Sequence, residues 1–430
     1  MNEQRQADRE DRVLIYSHDT YGLGHLRRCT AIAERLLRDR PRRSVLLVTG
    51  SPRAQSFDLP DGLDVIKLPS VLKRNDGSYV TRSLRTGIRE TADVRAAILR
   101  AAAVEFRPHA VLVDHSPTGF MGELEPMFDA LTSGGVVPRP RFVLGLRDII
   151  DDAEAVRVQW TRENAWRRLD GLYDHVLVYG DASVRSTAED LGLKARCGDR
   201  LAYTGYVARP TTPGRRTSSP PLIVVTTGGG GDGHDLLRAY ARFLETLENP
   251  AAFRSLVVTG PFLSGERTAE IRARLARTAA LVEVVEFVPD FPSVLARASA
   301  LVAMAGYNTT VEALASGVPT LFLPRERPRR EQAIRAERLA EVVPQFRVLS
   351  PEQATPDAIG RFVSEALAAP PSPPCRLRMD GADRAAQAVE SAIASAAAVD
   401  GDPSAFRRAS AAAAPAASAA AARSGERRRA

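Results

Sequence analysis

Long hydrophobic runs are missing from this chain of 430 residues. No segment offers the roughly 20 continuous apolar residues of a membrane-spanning helix, and the polar, charged start lacks the apolar core of a signal peptide. Cysteine is scarce too. Cys29, Cys197 and Cys375 lie far apart and follow neither a metal-ligand nor a redox spacing, so a reducing, cytoplasmic setting is expected. Histidine numbers six and forms no cluster of metal-ligand spacing, so no metal is implied. Lys67, Lys73 and Lys194 are the only lysines, which leaves 56 of the 59 basic residues as arginine. Aromatics make up 6%, and none interleaves with a basic stripe as a nucleic-acid groove requires. The net charge of +7 does not restore that reading. Residues 401–430 hold six arginines against Asp402 and Glu426, which is +4 of the +7. No nucleic-acid partner is expected.

What is present is a soluble composition, 44% hydrophobic and 26% charged, on a chain long enough for two domains. Short apolar runs alternate with helical patterns: 13–16, 44–49, 64–68, 110–114, 142–146 and 176–179, then 222–226, 256–259, 282–287, 301–304 and 320–323. Such alternation predicts α/β architecture with parallel sheets covered on both faces. One stretch, "ARPTTPGRRTSSPP" at 208–221, has no periodicity and reads as a linker. After it the pattern restarts with an apolar strand, a Gly-rich turn and a helix. The expected organisation is a flexible start (1–10), a Rossmann-like domain (11–207), the linker (208–221), a second Rossmann-like domain (222–398) and a disordered Ala/Arg-rich tail (399–430). Two such domains face each other across a cleft, with ligands at the carboxyl ends of the strands. The tail arginines would give at most a weak peripheral attraction to the inner face of the cell membrane.

The first Gly-rich turn, "YSHDTYGLGHLRRCTAIAERL" at 16–36, joins the 13–16 strand to a helix marked by Leu26, Ile32, Ala33, Leu36 and Leu37. Gly22 and Gly24 let another molecule approach the backbone, and the helix start presents free N–H groups. The plainer alternative is a tight strand–helix connection with a surface histidine. In the second turn, Gly228, Gly229, Gly230 and Gly231 directly follow a strand, and a helix opens at about His234. Four glycines there form a backbone nest suited to a diphosphate. No lysine follows, so this is not the P-loop pattern, and the spacing also fails the dinucleotide fingerprint. A flexible loop is the alternative.

The stretch 287–339 is the most informative. A strand at 301–304, a turn at Ala305–Asn308 and a helix over Thr309–Ser316 place the Thr309 and Thr310 hydroxyls and helix N–H groups where phosphate oxygens would sit. Glu312 can accept both hydroxyl hydrogens of a ribose, because a carboxylate offers two oxygens. Arg325, Gln332 and Arg335 follow the next strand, within reach of a sugar or phosphate. The competing reading is a helix start whose acid favours the dipole.

This stretch resembles the C-terminal donor-binding domain of GT-B nucleotide-sugar glycosyltransferases, especially family 28 members such as the bacterial enzymes that add N-acetylglucosamine to the lipid-linked peptidoglycan precursor. The likeness covers about residues 222–340, and extends into the N-terminal domain mainly through Gly22, Gly24 and His25. It implies that Phe287 and Val288 enclose the base. It also implies that Gly306, Asn308, Thr309, Thr310 and Glu312 hold phosphate and ribose, with Gln332 and Arg335 beyond them; Arg335 stands where asparagine is expected. The substrate would be a nucleoside diphosphate sugar, without a further cofactor, and the acceptor an unidentified glycan or lipid, with inversion at the anomeric carbon. His25 is then the candidate base or electrostatic partner, Asp19 and Asp114 secondary bases, and Gly22, Gly24 and Arg28 the acceptor-side loop. The order Gly-x-Gly-His-x-x-Arg followed by Cys29 also resembles sugar-nucleotide hydrolases of nonulosonate synthesis, which use that histidine with water. A non-catalytic nucleotide-sugar binder is the third reading. Asp114-His115 and Arg147-Asp148 follow strands, with Asp151 and Asp152 nearby; they could line the acceptor side but read best as solvated acidic loops, and Trp160 and Trp166 as packing on one patterned helix.

Overall fold

The computed structural model describes residues 10–400 apart from 19–23, 39, 53, 55–58, 74–77, 134–138, 210–218 and 371–374. Nearly all of the expected flexible start, the middle of the expected linker, and tail residues 401–430 lie outside the described residues. So do Asp19 and Gly22.

The N-terminal half contains β1 (Arg12–Ser17), β2 (Ser44–Thr49), β3 (Leu63–Lys67), β4 (Val71–Lys73), β5 (Tyr79–Thr81), β6 (Ala110–Asp114), β7 (Arg141–Arg147), β8 (His175–Tyr179) and β9 (Leu201–Tyr203). Seven of these form one parallel sheet in the order β3-β2-β1-β6-β7-β8-β9, while β4 and β5 pair as an antiparallel ribbon. The C-terminal half contains β10 (Leu222–Thr226), β11 (Arg254–Val258), β12 (Leu281–Val285), β13 (Ala300–Ala303), β14 (Thr320–Phe322) and β15 (Phe346–Val348). They form a parallel sheet in the order β12-β11-β10-β13-β14-β15. All eleven strands expected from the apolar runs are present, with ends displaced by at most two residues. Four others, β4, β5, β9 and β15, were not expected; each spans only three residues, too few for a periodic signal.

The central strands are apolar on both faces because helices cover both. β1, β6 and β10 are buried along nearly their whole length. Helix Gly24–Leu37 packs Leu26, Cys29, Ile32, Ala33 and Leu36 inward at helical spacing. Fully burying each large aliphatic side chain favours the fold by about 2 kcal/mol. One apolar core runs without interruption through both halves, from Val13 and Leu26 to Leu301, Leu314 and Leu339.

The last described helix, Gly381–Asp400, falls within the stretch expected for the C-terminal domain but packs on the N-terminal half. It lies against helix 24–37 and the β6–β8 strands of the N-terminal sheet. Ala385, Val389 and Ile393 enter the shared core, while Arg43 donates to Glu390 at 2.7 Å. Small side chains every three or four residues let this helix sit close to its neighbour. Trp160 and Trp166 also depart from expectation in one respect. They lie on two helices, Ala153–Arg162 and Ala165–Gly171, and pack edge to face at 5.0 Å.

In each sheet the strand order reverses next to the first strand, between β1 and β6 and between β10 and β13. Loops leaving such a reversal point diverge to opposite faces and open a crevice at the carboxyl ends of the strands. The two crevices face one another.

Candidate functional site

Both Gly-rich turns reach the same interdomain cavity of about 330 Å³, lined by Gly24, His25 and Arg147 on one side and by Gly228, Thr309 and Glu312 on the other. They also touch. Asn308 Nδ2 donates to the Gly24 carbonyl at 3.3 Å, and a Cβ on Gly24 would lie 3.7 Å from that amide nitrogen.

On the N-terminal side the residues at the β1–β6 reversal form a charged cluster. His25 Nδ1 lies 2.5 Å from Asp114 Oδ2. Two acceptors cannot approach so closely, so the proton sits on Nδ1 and is donated to the carboxylate, leaving Nε2 as the lone-pair nitrogen. Arg28 donates to Asp114 through Nε at 2.9 Å and Nη2 at 2.8 Å. Its guanidinium lies 5.0 Å from the Tyr307 ring of the other domain and 5.3 Å from that of Tyr179. Burial pushes His25 down to about 4, against the opposing pull of Asp114. Burial would raise Asp114, but Arg28 and His25 outweigh it and hold the acid at about 2. At neutral pH the pair is therefore a neutral imidazole on an ionised carboxylate.

Two more imidazoles stand beside it. His115 lies 5.1 Å and His18 6.0 Å from the His25 ring, and 5.6 Å from one another. Burial holds both well below the ordinary histidine value. Among the described residues no group of three or more histidine, cysteine or acidic side chains is placed to hold a metal ion.

On the C-terminal side, β10 leads into Gly228–Gly231 and helix His234–Glu245 opens where expected. Only half of the glycine run faces the cavity. Gly228 and Gly229 line it, whereas Gly230, at φ +94°, backs onto the 259–263 loop; a Cβ there would come 2.5 Å from the Thr259 carbonyl oxygen. Gly231 is exposed with open space before it. The helix after β13 begins at Tyr307, with Gly306 as its cap, not at Thr309. That shift changes the roles of the threonines. Thr309 lines the cavity, but Thr310 is fully buried outside the lining, and its N–H closes the first turn on the Gly306 carbonyl at 2.9 Å. Thr310 is thus not placed to hold phosphate.

Glu312 lines the cavity and pairs with Arg209, the last described residue before the 210–218 gap. Phe287 is 43% exposed, and Arg27 reaches across from the N-terminal domain to lie 5.5 Å from its ring. Val288 and Gln332 complete this wall, with Gln332 Oε1 buried and without a partner among the described residues.

Arg335 is not free for a sugar. Its Nε donates to Asp148 at 3.0 Å, Nη1 to the Ala305 carbonyl at 3.0 Å and Nη2 to the Ile149 carbonyl at 2.9 Å. Likewise, Arg28 is spent on Asp114 rather than offered to an acceptor. The solvated-loop reading of the acids fails at Asp114 and Asp148, which are buried, and at Asp151, which accepts from the Arg330 N–H of the other domain at 2.9 Å. Asp152 does face solvent in part, as the cap of helix 153–162. Arg27, Arg209 and the pairing of Asp148 escape a reading of the sequence alone, and Arg147 was marked only as one of several groups that could line the acceptor side. The available signal was positional: Asp114-His115 and Arg147-Asp148 both end apolar strands that border the reversal point.

Residues 223–390 match the profile of the glycosyltransferase family 28 C-terminal domain. A sequence search among curated proteins finds no match. In architecture the chain is similar to the glycosyltransferase of kitacinnamycin, at 18% identity and a TM-score of 0.56, covering 91% of this chain and 99% of that one. It is also similar to MurG of Acinetobacter baumannii (13% identity, TM-score 0.53, covering 90% and 94%). TcCGT1, whose structure was determined in complex with UDP, aligns at 14% identity and a TM-score of 0.57 over 93% of this chain and 97% of that one. The chain therefore has the GT-B fold.

Proposed function

We propose that this protein is a glycosyltransferase that moves a sugar from a nucleoside diphosphate donor to a hydroxyl of an acceptor held by the N-terminal domain. The observation that carries this reading is a single cavity with two chemically distinct walls. One wall offers the Gly228–Gly229 backbone, the Thr309 hydroxyl and the start of helix 307–316, a set suited to a diphosphate. The other offers the lone-pair Nε2 of His25. Phe287 and Val288 would flank the base, Glu312 would receive the ribose hydroxyls once Arg209 moves aside, and UDP is the first nucleotide to test.

In the proposed mechanism the acceptor hydroxyl approaches His25 Nε2 and gives up its proton as its oxygen attacks the anomeric carbon. Asp114 keeps the ring in the required tautomer and stabilises the imidazolium that forms. The bond to the diphosphate breaks on the opposite side of the sugar, which inverts the anomeric centre. Charge developing on the leaving phosphate meets fixed N–H donors, which need not reorganise during the reaction. Closing the cleft excludes water, the competing nucleophile.

The test is a thermal-shift screen with UDP, GDP, ADP and dTDP, followed by incubation with the sugar derivative of whichever nucleotide stabilises the fold. The reading expects one nucleotide to raise the melting temperature and its sugar donor to be consumed faster when an acceptor extract is added. Release of free sugar at an undiminished rate without acceptor would instead identify a hydrolase, and binding without consumption a sensor.

A further inference from the structure

Arg147 ends β7 and His115 directly follows β6, so the two stand side by side at the carboxyl edge of the N-terminal sheet. The His115 N–H donates to the Gly145 carbonyl at 2.7 Å, which fixes this register. Arg147 lines the interdomain cavity together with His25. Among the described residues its guanidinium makes a single hydrogen bond, from Nη2 to His115 Nε2 at a long 3.3 Å, and its Nε is buried without a partner. Because arginine can only donate, His115 Nε2 accepts, and the imidazole proton resides on Nδ1. That Nδ1 is also buried without a partner, on a side chain that is itself more than nine-tenths buried. His115 further holds a left-handed backbone, φ +73°, a costly conformation for a residue with a side chain.

Two other arginines of the site differ, whereas Arg27 at the far side of the cavity pairs with the Phe287 ring. Arg28 is neutralised by Asp114 and Arg335 by Asp148, each at ion-pair distance. Among the described residues Arg147 has no carboxylate in contact. Burial, and then repulsion from Arg335, Arg28 and Arg329, pulls it down to about 10, with Glu331 opposing from a distance. A half-buried cation, whose Nε is fully shielded and which pairs with no carboxylate among the described residues, is favoured by a ligand that completes it. Its place identifies which ligand. The donor diphosphate already has a main-chain cradle on the opposite wall, whereas Arg147 is linked through His115 to the ring of His25, where the attacking hydroxyl must lie.

We propose that the acceptor is anionic, carrying a carboxylate or phosphate close to its attacking hydroxyl, and that Arg147 grips that group, so that it sets acceptor specificity. The inference rests on the glycosyl-transfer reading but is tested apart from it.

Six histidines make selective imidazole labelling practical. The full chain, saturated with UDP, is titrated with inorganic phosphate in one arm and glycolate, a hydroxy-carboxylate, in the other, while the imidazole nitrogen signals are followed. At least one anion shifts the His115 and His25 signals saturably, and the stronger arm identifies the group. Arg147→Gln weakens that response at least tenfold, and Arg147→Lys, which keeps the charge but loses the fork, by less. Signals that stay still in both arms, or that move equally in wild type and Arg147→Gln, overturn the proposal. So does a tenfold loss of UDP affinity in Arg147→Gln, which would assign the residue to the donor. If wild type ignores UDP, the transfer reading falls, and the same titrations on the free protein still decide whether Arg147 is an anion site.

Discussion

Arg335, from the C-terminal half, and Asp148, from the β7 edge of the opposite sheet, form an ion pair in which the two side chains are 1% and 3% exposed. The guanidinium spends its remaining donors on carbonyls of both domains, Ala305 and Ile149. With Tyr307, whose hydroxyl donates to the Tyr179 carbonyl at 2.9 Å, this pair fixes how the two crevices meet. Removing one partner strands a buried charge. Arg335→Met should therefore cost about 3–5 kcal/mol in urea-induced unfolding, and Arg335→Met combined with Asp148→Leu much less, since replacing both charges removes the desolvation penalty. Equal losses in the single and double variants would mean that the pair is not what joins the domains.

Replacing the base removes proton transfer without touching the phosphate cradle. His25→Ala should lower kcat by about 10²–10⁴. Asp114→Asn should lower it as well, by releasing the wrong tautomer, and should in addition destabilise the fold by leaving Arg28 buried without its counter-charge. Donor turnover measured alongside thermal unfolding separates the two effects.

Acid should act on rate and stability in different windows. With His25 held at about 4, the base stays neutral above that value, so the rate should be flat from pH 8 to about 5 and fall as pH drops through 4. Stability behaves otherwise. His18, His25 and His115 all have folded values below 6.5, so the unfolded chain takes up protons first, and stability is lost as pH falls from 6.5 downward. Each such histidine contributes a slope of about 1.4 kcal/mol per pH unit between its unfolded and folded values. Asp114, depressed to about 2, adds a further loss between 3.8 and 2. Urea midpoints at pH 7.5, 6 and 5 check the sign.

Glu312 is engaged by Arg209 before any nucleotide arrives, so the two should have opposite effects on binding. Glu312→Ala should weaken nucleotide binding by more than tenfold, because hydrogen bonds to a charged acceptor are worth about 1.5–3 kcal/mol. Arg209→Ala should tighten binding, since no ion pair has to be broken first. Isothermal titration with the nucleotide identified by thermal shift reads both.

Gly230→Ala should cost about 1–3 kcal/mol, because its left-handed backbone disfavours a side chain and the new Cβ would strike the Thr259 carbonyl. The displaced loop would carry Gly228 and Gly229 with it, so nucleotide binding should fall in the same variant that loses stability.

Much of this protein was legible in the order of its residues. Continuous apolar runs such as Leu222–Thr226 can only be strands covered on both sides, and glycines directly after them mark turns through which another molecule reaches the backbone. The restart after residue 221 gave two such units and hence a cleft. Helix starts at His234 and near Thr309 followed from local pattern, and the Gly306–Glu312 segment carried the family likeness. These features are local: a strand, its turn and the helix that follows depend on residues within about twenty positions of one another.

Only the tertiary structure decided which charges are spent and which are free. Asp114 and Asp148 look like loop acids in sequence, yet each neutralises an arginine, Arg28 from 86 residues away and Arg335 from 187. Arg335 seemed available and is locked, whereas Arg147, marked in sequence only by its place after a strand, lines the cleft with no carboxylate paired to it among the described residues. The return of helix 381–400 to the N-terminal sheet was hidden for the same reason. Pairing of charges and docking of a distant helix depend on where the chain brings remote segments together, and residue spacing carries no record of that distance.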